Sequence, residues 1–328
     1  MRMRAIGLLS GGLDSVLAIK LMQDQRIDVI AVNFILPFYK QIPKEELYAF
    51  KVANDLKVPL RIFRIGLDYL KIVRDPKHGH GSVINPCIDC KIYMLKKAKK
   101  YAKRIGAKFI ITGEVLGERP MSQNYKALMT IEKEAGLERR IVRPLSAKVL
   151  PITEAEEKDW IDRSKLLDIR GRSRKKQMML AEKYNIKEYL TPAGGCLLTY
   201  REYGNKIKDL LDNKKRINKN DLILLKTGRH FRFDGVKIIV GRNEEENKNL
   251  LEFKNKRDYV FEVPDHGSPI TLLQGRKSRD SIRLAGSITA KYSDAEGDRI
   301  PVEYTNSSLK HTFHVEQIDE GILDRLRI

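Results

Sequence analysis

Residues 4–22 read RAIGLLSGGLDSVLAIKLM. The apolar run 5–10 has the character of a parallel strand buried on both faces. It ends in Ser-Gly-Gly, and a helical pattern follows with Val16, Ile19, Leu21 and Met22 on its apolar side. Gly11 and Gly12 allow a tight turn and a close approach of backbone to a ligand. The helix start beyond them carries unsatisfied N–H groups and the positive end of a dipole, which together favour an anion. Ser10 and Ser15 can donate hydroxyl hydrogen bonds to phosphate oxygens. Asp14 repels phosphate, so its task at such a site is Mg²⁺ or the water around it. A plain Gly-Gly turn with Ser15 as helix cap leaves that acid unexplained. No GxxxxGK(S/T) sequence is present, so this is not a Walker loop.

Outward from this stretch the chain alternates. Strands are expected at 28–36, 59–66, 108–115 and 140–146, with helices at 44–57 and 90–107, the latter very basic and closed by Gly106. Alternation of this kind predicts an α/β fold with a doubly wound parallel sheet, whose ligands bind beyond the carboxyl ends of the strands. The SGG and TGE segments both fall at such ends. The domain boundaries expected are 1–168 for the nucleotide domain, 169–215 for a small helical adaptor carrying the third cysteine, and 216–328 for a strand-rich α+β domain. In the adaptor, Arg170, Arg172, Arg174, Lys175 and Lys176 crowd about two helical turns. Further strands are expected within 234–241, on either side of the Gly-Ser-Pro turn at 267–269, and at 300–306, with helices at 244–253 and 280–295.

The 328 residues carry 63 Lys and Arg against 43 Asp and Glu, a net charge of +20. A solubilising surface explains many charges but not that imbalance, which points to a polyanion, nucleic acid first. No apolar run is long enough to span a bilayer and no cleavable leader is apparent, so a cytoplasmic protein without a membrane partner is expected.

There are three cysteines, Cys87, Cys90 and Cys196. So few argue against a disulfide framework. The segment NPCIDCK places the first two in a turn ahead of the basic helix, and PAGGCLLT carries the third. Three chemistries remain open: a zinc site completed by His78 or His80, a redox or persulfide pair, and an iron–sulfur cluster whose fourth iron is open.

SGGLDS at 10–15 resembles the PP-loop, SGGxDS, of the ATP pyrophosphatase family, which includes tRNA thiolases and amide-forming synthetases. The resemblance implies a HUP-like fold, cleavage of ATP between the α- and β-phosphates, adenylation of a carbonyl oxygen and release of pyrophosphate. More narrowly, residues 1–200 resemble the PP-loop tRNA uridine thiolases of the 4-thiouridine synthetase (ThiI-like) group. TGEVLGERPMSQ (112–123) and RPL (143–145) carry that likeness. It implies that Ser10, Gly11, Gly12, Asp14, Ser15, Gly113, Glu114, Gln123 and Arg143 bind the nucleotide. In several such thiolases a CxxC pair and a later Cys hold a [4Fe–4S] cluster, and Cys87, Cys90 and Cys196 match them one for one. The resemblance thus implies those three as metal ligands and, with Asp14, as catalytic residues. Two departures are expected: no RNA-binding THUMP domain ahead of the loop and no rhodanese-like domain after it.

The segments GVKIIVGRNEEENKNLLEF (235–253), HGSPITLL (266–273) and VEYTN (302–306) resemble the NFACT-R RNA-binding domain. Arg229, Arg232, Arg242 and Lys291 are its candidate phosphate contacts, which would position RNA without reading its sequence.

The expected activity is therefore that of a tRNA sulfurtransferase using ATP, Mg²⁺ and a [4Fe–4S] cluster, with 4-thiouridine favoured over 2-thiouridine. Its partners are tRNA and a sulfur donor, either a cysteine desulfurase or free sulfide, and a homodimer is left open. Basic groups near the phosphates, Arg143 among them, would stabilise transition-state charge. Two rivals stand beside this: a PP-loop synthetase making an amide or nitrile on a small molecule, which needs neither the charge nor an RNA-binding tail, and a non-enzymatic RNA-binding factor, against which the intact loop speaks.

Overall fold

The computed structural model describes residues 3–39, 42–186, 189, 195–306 and 309–328. The chain divides into two compact units, Met1–Thr199 and Tyr200–Ile328. Of the Pro/Gly loop expected at 188–199, residues 188 and 190–194 lie outside the described residues.

The first unit is built on five parallel strands, β1 (Arg4–Leu8), β2 (Asp28–Ile35), β3 (Leu60–Arg64), β4 (Phe109–Ile111) and β5 (Ile141–Val142), in the order β3-β2-β1-β4-β5. Its helices are α1 (Leu13–Asp24), α2 (Tyr48–Asp55), α3 (Leu70–Arg74), α4 (Cys87–Ile105), α5 (Tyr125–Ala135), α6 (Glu154–Glu157) and α7 (Lys175–Lys183). The apolar runs of the strands have a direct cause. Ala5, Ala31, Phe109 and Ile111 pack into one core with α1 and α7. Their neighbours Ile6, Val32 and Ile110 turn the other way, onto α4 and α5. Successive strand residues point to opposite faces, so a sheet covered on both sides must be apolar at nearly every position. Helix α1 is buried almost all round for the same reason, since α7 covers the side turned from the sheet.

Two boundaries differ from expectation. Helix α2 begins at Tyr48, because Lys44–Glu46 forms a separate 3₁₀ turn. Helix α4 begins at Cys87, behind Pro86, so the CxxC pair occupies its first turn instead of a loop ahead of it. The helix does close at Gly106, in the left-handed region at φ 72°. Helix α5 escaped the reading of the sequence, although Asn124 caps it by accepting from the Ala127 N–H and Gly136 ends it at φ 62°.

The expected adaptor stretch is shared between the units. Helix α7 packs on α1, whereas α8 (Arg201–Asn213) belongs to the second unit. There, β6 (Arg229–Phe233), β7 (Val236–Val240), β8 (Tyr259–Glu262), β9 (Thr271–Gln274), β10 (Ile300–Asn306) and β11 (Leu309–Val315) form an antiparallel sheet ordered β11-β10-β8-β9-β7-β6. The remaining helices are α9 (Lys219–Leu224), α10 (Glu244–Phe253), α11 (Arg279–Lys291) and α12 (Glu320–Leu326). Ala285 and Ile288 of α11 share a core with Ile238, Phe261 and Val302. On the other face Leu224 and Leu250, from α9 and α10, cover Ile239 and Leu272. Among the described residues no helix is long and apolar enough to cross a membrane.

Candidate active site

Strand order reverses at β1, because β2 lies to one side of it and β4 to the other. The turns that follow β1 and β4 are therefore neighbours at the carboxyl edge of the sheet, the place where such sheets bind ligands. Their contact is tight. A Cβ added to Gly113 would lie 2.4 Å from the Asp14 carbonyl carbon and 2.5 Å from the Ser15 nitrogen. Gly113 is thus required for packing against the start of α1. Gly12 differs: its φ is −74°, and an added Cβ would meet only Ser10 Oγ, at 3.5 Å. The space beside it is empty of protein. Gly11 turns the chain at φ 90°. The two serines shape the loop from within, since Ser15 Oγ donates to the Gly12 carbonyl at 2.7 Å and lies 3.2 Å from Ser10 Oγ.

Asp14 stands at the mouth of this loop, half-buried. Burial pushes its carboxyl pKa up, against the pull of Arg174 and Arg119. Arg174 Nη2 lies 3.5 Å from Asp14 Oδ2. Asp14 Oδ1 and Arg174 Nε have no close hydrogen-bond partner, and the buried Gln177 amide faces the Asp14 carboxyl and pulls its pKa down. Glu118 is drawn into the same group, and its pKa is raised by burial and by the Asp14 charge. Unpartnered buried polar atoms are rare, and here they gather beside a phosphate-type loop. A carboxylate oxygen without a donor, with a second carboxylate near it, suits a hard cation such as Mg²⁺. Glu118, Arg119, Arg174 and Gln177 were not singled out individually from sequence as nucleotide contacts; Arg174 lay hidden in a general basic run.

Glu114 and Arg143 do come together, in a buried ionic network. Arg143 Nε donates to Glu114 Oε2 at 3.0 Å, and its Nη1 to Glu132. Lys91 Nζ donates to Glu114 Oε1 at 2.6 Å, and Thr112 Oγ1 to Oε2 at 3.1 Å. Burial raises the Glu114 carboxyl, but Lys91 and Arg143 outweigh it and hold its pKa at about 2. Arg143 is 3% exposed; two carboxylates engage its Nε and Nη1, and its buried Nη2 has no hydrogen-bond partner. Gln123 is buried on the same side; its backbone carbonyl accepts from the Gly117 N–H at 2.7 Å, and its side-chain oxygen has no partner.

The three cysteines converge on Tyr69. That ring is fully buried, the Cys90 thiol faces its hydroxyl, and the thiols of Cys90, Cys196 and Cys87 all act on it electrostatically. Burial pushes the Cys90 thiol up to about 12 and raises Cys196 as well. Cys87 Sγ accepts from Asn85 Nδ2 at 3.2 Å. The Ile84 N–H donates to the Leu198 carbonyl, which ties the segment of the third cysteine to the approach to α4. Among the described residues no three His, Cys, Asp or Glu side chains stand close enough to share a single ion. A four-iron cluster spreads its ligands more widely than one ion does. Three half-buried soft donors around the Tyr69 hydroxyl suit that group in donor chemistry. Neither histidine joins them: His78 lies between Asp89 and Glu134, at 3.1 and 3.0 Å, and His80 Nε2 contacts the Val73 carbonyl at 2.8 Å.

In the second unit, three of the four cations expected to meet phosphate are paired with acids. Arg232 forms a two-pronged bond to Asp209, at 2.8 and 2.6 Å, Arg242 pairs with Glu246, and Lys291 lies 3.7 Å from Glu320. Arg229 lies 4.4 Å from the Tyr292 ring centre.

Comparison with known proteins finds a different likeness in each unit. Residues 2–149 match the family model of the thiamine biosynthesis protein (ThiI), and residues 228–325 match that of the NFACT protein RNA-binding domain. Each match is a likeness of one region and covers less than half of the chain. A probable tRNA sulfurtransferase of Thermococcus kodakarensis (strain ATCC BAA-918 / JCM 12380 / KOD1) is 30% identical over 151 residues, 43% of this chain. The match spans only 36% of that relative's length. Among solved structures, the U34-tRNA thiolase NcsA from Methanococcus maripaludis with its [4Fe-4S] cluster is 18% identical at a TM-score of 0.36, over 69% of this chain and 73% of that one. A 4-thiouridine synthetase–RNA complex with bound ATP is 20% identical at a TM-score of 0.35, over 56% of this chain and 51% of that one.

Proposed function

We propose that the protein is a cytoplasmic tRNA uridine sulfurtransferase that activates the base with ATP. The observation that carries this is one unit holding both a phosphate-type loop with unsatisfied polar groups at Asp14 and three thiols gathered on Tyr69. The NFACT RNA-binding match and the +20 charge favour RNA over a small-molecule acceptor.

Ser10, Ser15 and the first amides of α1 bind the phosphates of ATP. Asp14, with Glu118 near it, would hold Mg²⁺, which supplies positive charge for a leaving pyrophosphate, and Arg174 and Arg119 offset the Asp14 charge. A carbonyl oxygen of the uridine attacks the α-phosphorus and the bond to the β-phosphate oxygen breaks. Sulfide then attacks the activated carbon, and AMP leaves with the original oxygen. Bringing the base to the loop requires local opening of the tRNA, at a cost of a few kcal/mol. Cys87, Cys90 and Cys196 would hold a [4Fe–4S] cluster, which supplies an iron without a protein ligand where sulfur can bind. The sulfur donor is a cysteine desulfurase or free sulfide. We favour 4-thiouridine as the product.

The test is incubation of the anaerobically purified protein with ATP, sulfide and unmodified tRNA, followed by mass analysis of nucleosides. Thiouridine and one pyrophosphate per thiolation are expected. Asp14→Ala should abolish pyrophosphate release while leaving tRNA binding within about twofold. Absence of any thiolated nucleoside from a protein carrying its iron would refute the assignment.

A further inference from the structure

Helix α4 runs for 19 residues, about 28 Å, away from the CxxC pair in its first turn. It carries seven basic residues against one acid, Asp89. Lys96, Lys99, Lys100 and Lys103 follow the i, i+3, i+4, i+7 spacing of a single face, and all four are exposed. Beyond Gly106, Lys108 is exposed at the start of β4 and extends the row. Together with Arg140, Lys158 and the ring of Trp160 these lysines line a groove of about 1010 Å³. The groove lies at the amino-terminal end of β4, whereas Gly113 and the Ser10–Ser15 loop lie at the carboxyl ends of the strands.

Its charge is uncompensated. Arg140 and Lys158 both bind Glu154, at 2.8 and 2.6 Å. Among the described residues none of the five lysines has an acidic partner. Elsewhere lysines are commonly paired, as in Lys77–Glu134, Lys176–Asp168 and Lys214–Asp221. Like charges three and four residues apart on a helix repel. The helix dipole offsets this within the last turn, at Lys103 and Arg104, but not at Lys96, Lys99 and Lys100. A lipid surface would require exposed apolar side chains to insert, and none of the exposed large hydrophobic residues lines the groove.

We propose that this lysine face of α4 is a docking surface for the phosphate backbone of the RNA substrate, separate from both the ATP loop and the NFACT-type domain. It rests on the reading of an RNA substrate given above. Lysines supply point charges without base readout, so the contact sets position and affinity, not sequence choice.

The test measures binding of an unmodified tRNA transcript to the full-length protein across a salt series. The variant combines Lys96→Ala, Lys99→Ala, Lys100→Ala and Lys103→Ala; alanine keeps the helix propensity. Lys165→Ala, an exposed lysine paired with Asp162, is the control. Each phosphate contact contributes about 0.7–0.9 to the slope of log affinity against log salt. The variant should lose about 3–4 from that slope and at least about tenfold in affinity at 0.1 M salt, with ATP binding unchanged and the control like wild type. Equal affinity and slope in variant and wild type would overturn the docking surface and leave the sulfurtransferase reading standing. If the wild type binds no tRNA, both fail. Equal loss in the control would show a general charge effect and overturn the assignment to this face.

Discussion

The contrast between Gly113 and Gly12 offers a sharp test of the candidate nucleotide site. A methyl group on Gly113 would sit 2.4 Å from the Asp14 carbonyl carbon, 2.5 Å from the Ser15 nitrogen and 2.6 Å from the Asp14 oxygen. All three are backbone atoms, so no side chain can swing aside. Relief requires the start of α1 and the turn after β4 to separate by about 1 Å. Overpacking of this kind costs about 1–3 kcal/mol, which for a unit of this size lowers the melting temperature by about 2–4 °C per kcal/mol. The same shift moves the loop amides by about 1 Å, a displacement worth about 100-fold in rate. Gly12→Ala should behave oppositely. Its Cβ meets only Ser10 Oγ at 3.5 Å, and φ is −74°. The variant should melt like wild type yet lose ATP, because the methyl enters the space the phosphates need. Calorimetric melting and equilibrium ATP binding of both variants read this directly. A Gly113→Ala protein with unchanged melting and ATP affinity, or a Gly12→Ala protein that binds ATP normally, would refute the placement of the phosphates.

The Glu114 network should make the first unit acid-sensitive. The folded-state pKa of Glu114 is about 2, below its unfolded value. Its contribution is therefore complete above the unfolded pKa, and is lost as pH falls from about 4.5 towards 2. Melting curves between pH 7 and 2.5 should show the loss, and Arg143→Met, which strands Glu132 and half-strands Glu114 in the core, should cost about 3–5 kcal/mol at neutral pH; melting of that variant at the wild-type temperature would contradict it. In the metal-free protein Cys90, with its thiol at about 12, should resist alkylation at pH 8 and react only as the pH nears 12, as read by peptide mass analysis. Rapid labelling of Cys90 at pH 8 would mean that it is not buried as described.

Much of the site lay in local sequence. The strand-turn-helix at 4–24 is visible because each part is contiguous: an apolar run, two glycines, and a helical pattern. The CxxC pair announced itself by spacing, although its place in the first turn of α4 did not, since Pro86 can close a loop or open a helix. The neighbours of Asp14 were harder to see. Arg174 and Gln177 approach it from α7, across a gap of 160 residues in sequence, and the basic run around them gave no sign that Arg174 alone turns inward. Tyr69 carried no signal, because an isolated tyrosine before a short helix is ordinary. The expected RNA contacts show the converse: Arg232 and Arg242 look free on paper and are held by Asp209 and Glu246 in space.

Sequence alone therefore determined the parallel architecture, the phosphate-type turn after β1 and the likeness of the strand-rich second unit to an RNA-binding module, because period, turn chemistry and net charge are properties of short or summed segments. Tertiary structure decided which charges are spent and which remain available. Asp14 keeps an unsatisfied oxygen while Arg143 commits two of its three nitrogens to carboxylates, three thiols from distant segments come within electrostatic reach of one buried ring, and a row of lysines is left without acids. These outcomes depend on distances between side chains that no local pattern encodes, and burial magnifies them by removing the water that would otherwise screen each charge.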